Sequence, residues 1–167
     1  MGGEMKRLII PGLLFLLSIG CNHNPVSTNI IYSNPSFTIT NTRGVSSTIF
    51  TMGEQFNMSF KFINSNNYTL NYFRGSTEPP VVFEILKNDN IIATSVDGYA
   101  FAQIVIGGSL APGDTLKNQW TAPNTINQIP KVILTPGSYQ AKVLYPSFGQ
   151  SKADSYLIIN FQVVQQI

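Results

Sequence analysis

The residue types that most often carry enzyme chemistry are scarce in this sequence. The chain has one cysteine and one histidine, Cys21 and His23, which lie two positions apart near the amino terminus. A Ser-His-Asp or Cys-His catalytic arrangement needs a histidine inside the folded domain. We therefore predict no catalytic residue, and a solvated His23 is favoured over one that binds a metal ion.

The carboxylates are scattered along the sequence instead of paired. Glu84 falls within a predicted strand, and no second carboxylate has the spacing of a glycosidase-like acid–base pair. Asp89, Asp97 and Asp114 fall in predicted turns, where aspartate commonly accepts hydrogen bonds from nearby backbone. A calcium site at Asn88-Asp89-Asn90 or at Asp97 is the less favoured alternative, because the spacing of known calcium loops is missing. We predict no bound metal and no cofactor.

Residues 1–20 have the layout of an export signal. Lys6 and Arg7 form a short basic region, and an uncharged, mostly apolar run from Leu8 to Ile19 follows it. The run is shorter than the about 20 residues that a membrane-spanning helix needs, but it suits the apolar region of a signal peptide. It ends in Ser18-Ile19-Gly20-Cys21, where small residues suit a narrow peptidase subsite.

This segment resembles the lipobox of bacterial lipoproteins, in which cleavage occurs just before a cysteine that becomes acylated. The resemblance implies a signal peptide at residues 1–20 and lipidation of Cys21, although Ser18 replaces the aliphatic residue that the family usually has. Acyl chains anchor such a protein to the membrane, because each buried methylene contributes ~0.8 kcal/mol. We expect the cell envelope, and Asn22 favours the outer over the inner membrane by analogy with the family. A plain secretory signal is the less favoured alternative.

The rest of the sequence divides into a tether and one domain. Residues 21–36 are rich in Asn, Ser, Thr and Pro, which predicts a flexible tether. Residues 37–167 alternate apolar and polar positions with a period of two, which is typical of half-buried strands. In the clearest strand, one face carries Phe56, Met58, Phe60 and Phe62.

Similar patterns predict further strands, with no sustained helical periodicity between them. They lie within Phe37 to Thr51, Tyr68 to Phe73, Val81 to Lys87, Ile91 to Val96, Tyr99 to Ile106, Thr115 to Trp120, Ser138 to Tyr145, and a last strand with Leu157, Ile159, Phe161 and Val163 inward. Asn88-Asp89-Asn90 predicts a hairpin, and Gly107-Gly108 predicts a turn. The sequence therefore predicts an all-β, immunoglobulin-like antiparallel β-sandwich of about 8–9 strands.

Two Pro-Gly turns each introduce a late strand. Leu110-Ala-Pro-Gly-Asp-Thr-Leu116 precedes Trp120, and Leu134-Thr-Pro-Gly-Ser-Tyr-Gln140 contains Tyr139. Both rings are expected to fill the interior. With the Asn-rich turn that follows the Phe56 strand, this order resembles the BsuPI-type intracellular proteinase inhibitor domain, a β-sandwich family. The resemblance implies inhibition of serine proteases, and it assigns no inhibitory residues.

Composition restricts the class of partner. Charged residues make up 11% of the chain, against roughly 25% in an average domain, and the formal net charge is +2. Such a chain has no electrostatic basis for binding nucleic acid. We predict a non-catalytic, lipid-anchored envelope protein whose sandwich binds a protein partner, with proteinase inhibition as the version that the resemblance implies. A structural or assembly subunit of an envelope complex is the alternative.

Two sets of residues are candidates for contact with a partner. The predicted loops Gly75 to Pro80 and Ala122 to Lys131 are the candidate inhibitory segments, because loops on a rigid sandwich commonly carry binding residues. Aromatic residues could form a ligand-binding face, although core and cross-strand packing is favoured for them. They are Tyr68, Tyr72, Phe73, Tyr99 and Phe101.

Overall fold

A computed structural model describes residues 35–148 and 154–165, and all regular secondary structure within these ranges is β. The strands are β1 (Ser36–Asn41), β2 (Ile49–Thr51), β3 (Phe56–Ile63), β4 (Leu70–Arg74), β5 (Val82–Lys87), β6 (Asn90–Thr94), β7 (Ile106–Leu110), β8 (Thr115–Ala122), β9 (Gly137–Tyr145) and β10 (Ser155–Val164). The all-β fold is confirmed, with ten strands. The described ranges contain no helix that is long and apolar enough to cross a membrane. The predicted signal peptide, Cys21, His23 and most of the tether lie outside them.

The strands form two main sheets and a ribbon. The first sheet has the order β1-β3-β8, the second has the order β2-β10-β9-β5-β6, and β4 pairs with β7 as the ribbon. This order matches the A-B-E and G-F-C-C′ strands of an immunoglobulin-like sandwich. All pairings are antiparallel except β2 with β10, which is parallel. The segment Phe37 to Thr51 therefore supplies a strand to each sheet where the sequence predicted one strand.

The core consists of the inward rows of both sheets. All four apolar residues of the predicted β3 face are buried, as are Trp120 and Tyr139. Phe50 stacks on Phe56 at 4.4 Å between ring centroids, and the edge of Phe161 meets Phe56 at 5.1 Å. Each such side chain contributes about 1.5–3 kcal/mol when fully buried. Packing of this kind holds the sheets together in a chain with one cysteine.

The predicted turn chemistry is confirmed at the hairpin and at the Pro-Gly sites. Asn88 and Asp89 have φ values of 52° and 62°, as the two central residues of a type I′ turn require, and they join β5 to β6. Gly113 and Gly137 have φ values of 85° and 149° just before β8 and at the first residue of β9. Glycine adopts such positive φ values without steric cost.

The predictions for residues 99–108 are wrong. Within the segment Tyr99 to Ile106, only Ile106 belongs to a strand, because the backbone of Ala102 is bonded to a loop instead of a ladder. Its carbonyl accepts from the Thr77 N–H, and its N–H donates to Thr77 Oγ1, each at 2.9 Å. Gly107-Gly108, predicted as a turn, lies inside β7. Glycine is required at position 108 because the Tyr72 ring lies directly over it: an added Cβ would stand 2.2 Å from Tyr72 Cζ.

Asn64 joins the sandwich to the ribbon. It is the most deeply buried polar residue in the described ranges, at 0% exposed, and it follows the last residue of β3. Its Nδ2 donates to the Tyr68 and Leu110 carbonyls, each at 2.9 Å, and its Oδ1 accepts from the Asn66 N–H at 3.0 Å. Its own N–H donates to the Asp114 carbonyl at 2.9 Å. One side chain thereby bonds to the last residue of β7 and to a residue two positions before β4.

We expect Asn64→Ala to destabilise the domain by about 1–3 kcal/mol, because the substitution leaves backbone groups buried without hydrogen-bond partners. The control is Asn67→Ala, which makes the same change at an exposed position of the same turn. Urea unfolding of both variants measures the difference. Equal stability of the two variants would contradict the role assigned to Asn64.

Candidate functional site

A cleft of about 630 Å³ lies beside the outer edge of β8. This volume is within the range of about 300–1,000 Å³ that is typical of small-ligand sites. The lining residues come from the ribbon, from β8 and from three loops. They include Tyr72, Arg74, Thr77, Glu78, Val96, Tyr99, Phe101, Ile106, Asn118, Gln119, Trp120, Asn124, Ile126 and Gln128.

The cleft meets β8 at its backbone edge. Consecutive residues of a strand point to opposite faces, yet Asn118, Gln119 and Trp120 all line the cleft. Three consecutive residues can line one cleft only where the cleft meets the backbone edge of the strand. Trp120 is held there by its indole N–H, which donates to the Asn124 carbonyl at 2.7 Å.

Aromatic rings form much of the apolar lining. Tyr99 and Phe101 are nearly parallel, with 15° between their planes and 6.0 Å between their centroids, and Tyr72 contributes from the ribbon. These three residues belong to the set of aromatic residues that the sequence offers for a ligand-binding face. Tyr68 and Phe73, the other two members, do not line this cleft.

The charged groups of the cleft region are paired. Arg74 Nη2 lies 3.4 Å from Glu78 Oε2, and the Arg74 guanidinium also donates to the Pro79 carbonyl. Beside the cleft, Lys131 Nζ lies 3.0 Å from Asp97 Oδ1. The wall therefore presents no unpaired carboxylate or ammonium from these residues, and an uncharged ligand matches it best.

The edge of the cleft is apolar. Tyr99 is 51% exposed and Ile126 is 49% exposed, and Val105, on the segment that leads into β7, is 78% exposed. The two loops that carry Tyr99 and Ile126 are in contact, because Ile126 Cγ2 would lie 3.1 Å from a Cβ at Gly98. We name the exposed apolar side chains of these loops the apolar rim: Tyr99, Ile104, Val105, Ile126 and Ile129.

The carboxylates that the sequence offers as candidate acid–base or metal-binding groups lie apart from one another. Glu84 faces Lys142 across β5 and β9, with 3.0 Å between Oε2 and Nζ, in a contact that lacks the alignment of a hydrogen bond. Asp97 and Asp114 accept the N–H groups of Thr94 and Ala111, so their predicted turn-capping roles are confirmed. The described ranges hold no group of three His, Cys, Asp or Glu residues that could bind a metal ion.

Among the described residues outside the cleft, Tyr145 has a raised pKa. Burial against Phe60, whose ring centroid lies 4.8 Å away, raises the pKa of the Tyr145 hydroxyl, and a hydrogen bond with Ser155 opposes that shift. Tyr145 does not line the cleft. Its shift therefore reflects packing of the core.

The two predicted inhibitory loops differ in exposure to solvent. In Gly75 to Pro80, Thr77 is bonded to Ala102 in both directions, and Arg74 is bonded across the loop. In Ala122 to Lys131, the stretch 126–131 is exposed. The Ile129 carbonyl accepts from both the N–H and the hydroxyl of Thr125 at 2.9 Å. This second loop projects as a closed, preformed turn.

Neither a family model nor a curated protein matches the chain. A structure of β-glucosidase from Listeria innocua in complex with glucose aligns with a TM-score of 0.38 and 11% identity, over 79% of this chain and 16% of that chain. Another structure of β-glucosidase from Listeria innocua aligns with a TM-score of 0.37 and 10% identity, over 81% of this chain and 16% of that chain. The chain thus spans a small part of these proteins, and the likeness is too low to establish enzymatic activity.

Gly108→Ala should distort the cleft, since the new Cβ would collide with the Tyr72 ring. We expect a loss of about 1–3 kcal/mol in unfolding free energy, as in other overpacked sites. We also expect a changed emission from Trp120, which is the one tryptophan of the chain.

Gly107→Ala is the matched control, because its Cβ would meet the Phe73 ring at an ordinary 3.5 Å. Urea unfolding and tryptophan fluorescence compare the two variants. If Gly108→Ala behaves like Gly107→Ala, the Tyr72 ring does not occupy the assigned position.

Proposed function

We propose that this chain is a non-catalytic, lipid-anchored protein of the cell envelope whose β-sandwich binds a partner protein at the cleft and its apolar rim. The observation that carries the proposal is the exposed apolar rim around a cleft whose charges are paired. Contiguous exposed apolar surface on a soluble domain commonly marks a protein interface. Tyr99, which is half-exposed on the rim, is a residue type that is enriched at such interfaces.

The direction of the chain supports display of one end of the domain. Ser36, the first residue of β1, pairs with Lys61, whereas Phe56 at the other end of β3 pairs with Ala122. The loop 124–131 follows Ala122, so it lies at the end of the sandwich away from the start of β1. A tether that enters at Ser36 would leave this end facing away from the membrane.

Proteinase inhibition is the specific version of this proposal. It rests on the sequence resemblance to the BsuPI-type domain and on the shape of the loop 124–131. Preformed loops bind with a lower cost of ordering than flexible ones. Of the two candidate segments, this loop is the better one, because residues 126–131 are all exposed, whereas exposed and half-buried positions alternate along residues 75–80.

We expect Ile126→Asp to reduce recovery of the partner in a pull-down from detergent-solubilised envelopes by about tenfold, because it places a charge in an apolar contact. Ile158→Asp is the control, since Ile158 is also exposed and lies in β10 outside the cleft.

A panel of serine proteases provides the second measurement. Inhibition that Ile126→Asp abolishes would support the inhibitor version, and unchanged proteolysis throughout would remove it. Equal partner recovery with both variants would contradict binding at the rim. Cross-linking that recovers one stoichiometric envelope complex without inhibition would favour the assembly role.

Cys21→Ser should release the protein from the membrane, since the acyl chains would have no thiol to attach to. We expect the wild type in the detergent phase of a phase-partition assay and the variant in the aqueous phase or uncleaved. Ser18→Leu, which restores the usual lipobox residue, should remain lipidated. An unmodified Cys21 thiol in the mass spectrum of the wild type would contradict the anchor.

A further inference from the structure

The outer edge of β8 has no neighbouring strand in the described part of the chain. β8 is the last strand in the order β1-β3-β8. In an immunoglobulin-like sandwich, a further strand commonly lies beside this position. The strand that precedes β8 in the chain is β7, and it pairs with β4 in the ribbon instead. The fourth position of the first sheet is therefore open.

The hydrogen bonds identify which backbone groups point outward. The Gln119 N–H donates to its neighbour's side-chain oxygen, Asn118 Oδ1, at 2.9 Å, and the Thr121 carbonyl accepts from the Asn124 N–H at 3.0 Å. Neither bond belongs to the ladder with β3. Because bonding direction alternates along an antiparallel strand, Lys117, Gln119 and Thr121 direct their backbone groups away from β3.

Asn118 occupies the position where a neighbouring strand would bond. While its Oδ1 accepts from Gln119, its Nδ2 donates to the Val81 carbonyl at 2.9 Å, next to β5 of the second sheet. Proteins commonly protect an exposed edge by covering it, and the Asn118 amide covers the outward N–H of Gln119. An incoming backbone carbonyl can replace the Oδ1 without leaving a donor unpaired.

We propose that the partner binds as an extended, uncharged peptide segment that adds a strand to β8 inside the cleft. This inference rests on the proposed function and specifies its ligand. The outward stretch from Lys117 to Thr121 is ~13 Å long at the usual rise of a strand. Strand addition gains its affinity from backbone bonds and its specificity from pockets for alternate side chains.

The lining of the cleft suits the side chains of such a segment. Tyr99, Phe101 and Ile126 provide apolar contacts, and the Arg74–Glu78 pair leaves no charge for an ionic ligand to neutralise. A charged segment would lose its hydration without compensation there. An uncharged segment with alternating apolar side chains meets both conditions.

Gln119→Pro and Gln119→Ala form a matched pair for testing this inference. The proline variant removes the outward N–H, and proline is tolerated at the exposed edge of a sheet. The alanine variant removes the side chain and keeps that N–H. The probe is a phage-displayed library of linear random peptides, selected against the full-length wild-type protein in detergent.

We expect the selected peptides to be uncharged and β-prone, and to bind Gln119→Pro at least about tenfold more weakly than Gln119→Ala. Thermal unfolding checks that the proline variant is folded. If the proline variant is not folded, N-methylation of the selected peptide at alternate residues provides the test. Methylation of the odd-numbered and of the even-numbered peptide positions should differ: one set should abolish binding and the other should preserve it.

Several results would overturn the inference. They are equal binding of the peptides to both Gln119 variants, tolerance of N-methylation in both registers, and failure to select any peptide. If neutral oligosaccharides bind the wild type, and both Tyr99→Ala and Phe101→Ala abolish that binding, the cleft is a glycan site instead. The proposed function survives these results if Ile126→Asp still reduces partner recovery, so the two failures are distinguishable.

Discussion

The buried amide of Asn64 is the interaction on which the shape of this domain depends. It satisfies backbone groups of Tyr68 and Leu110, one at each side of the ribbon, and its own backbone bonds with Gly113 and Asp114. Buried amides without partners are costly, so the bonds of Asn64 favour this arrangement. They link the residue after β3 to Leu110, the last residue of β7, and to Tyr68, two residues before β4.

The cleft therefore arises from which strands pair with one another more than from the composition of the loops. Because β7 pairs with β4, the segment that precedes β7 forms a wall of the cleft beside β8, and rings and amides line the space. Thr77 and Ala102 tie the covering loops together, and the Arg74–Glu78 pair closes the wall. The same local bonds that fix the cleft reduce the freedom of the loop Gly75 to Pro80.

Much of the fold could be predicted from the sequence, because its strands bury one face each. The alternation in β3, β8, β9 and β10 identifies the inward rows that the structure confirms, and Asn88-Asp89 identifies the hairpin. The error at residues 99–108 has a non-local cause. Glycine pairs usually mark turns, and only the Tyr72 ring, more than thirty positions away in the chain, explains Gly108 within a strand.

The site was predictable only in part, for a related reason. Tyr72, Tyr99 and Phe101 are members of the aromatic set that the sequence offers for a ligand face, although it favours core and cross-strand packing for them. Asn118 and Gln119 could not be identified from the sequence, because an amide at a sheet edge becomes meaningful only when the neighbours of that strand are known. Sequence patterns report which side of a strand is buried, and they say little about which strands lie at an edge.

The parallel pairing of β2 with β10 has a consequence for biogenesis. β10 lies between β2 and β9 in the second sheet, so Ile49–Thr51 has no partner in that sheet until residues 162–164 are available. Completion of that sheet must wait until β10 has been synthesised, and pairing over such sequence separation is slow. If the chain is exported amino terminus first, as the proposed signal peptide requires, the second sheet closes only after β10 has emerged.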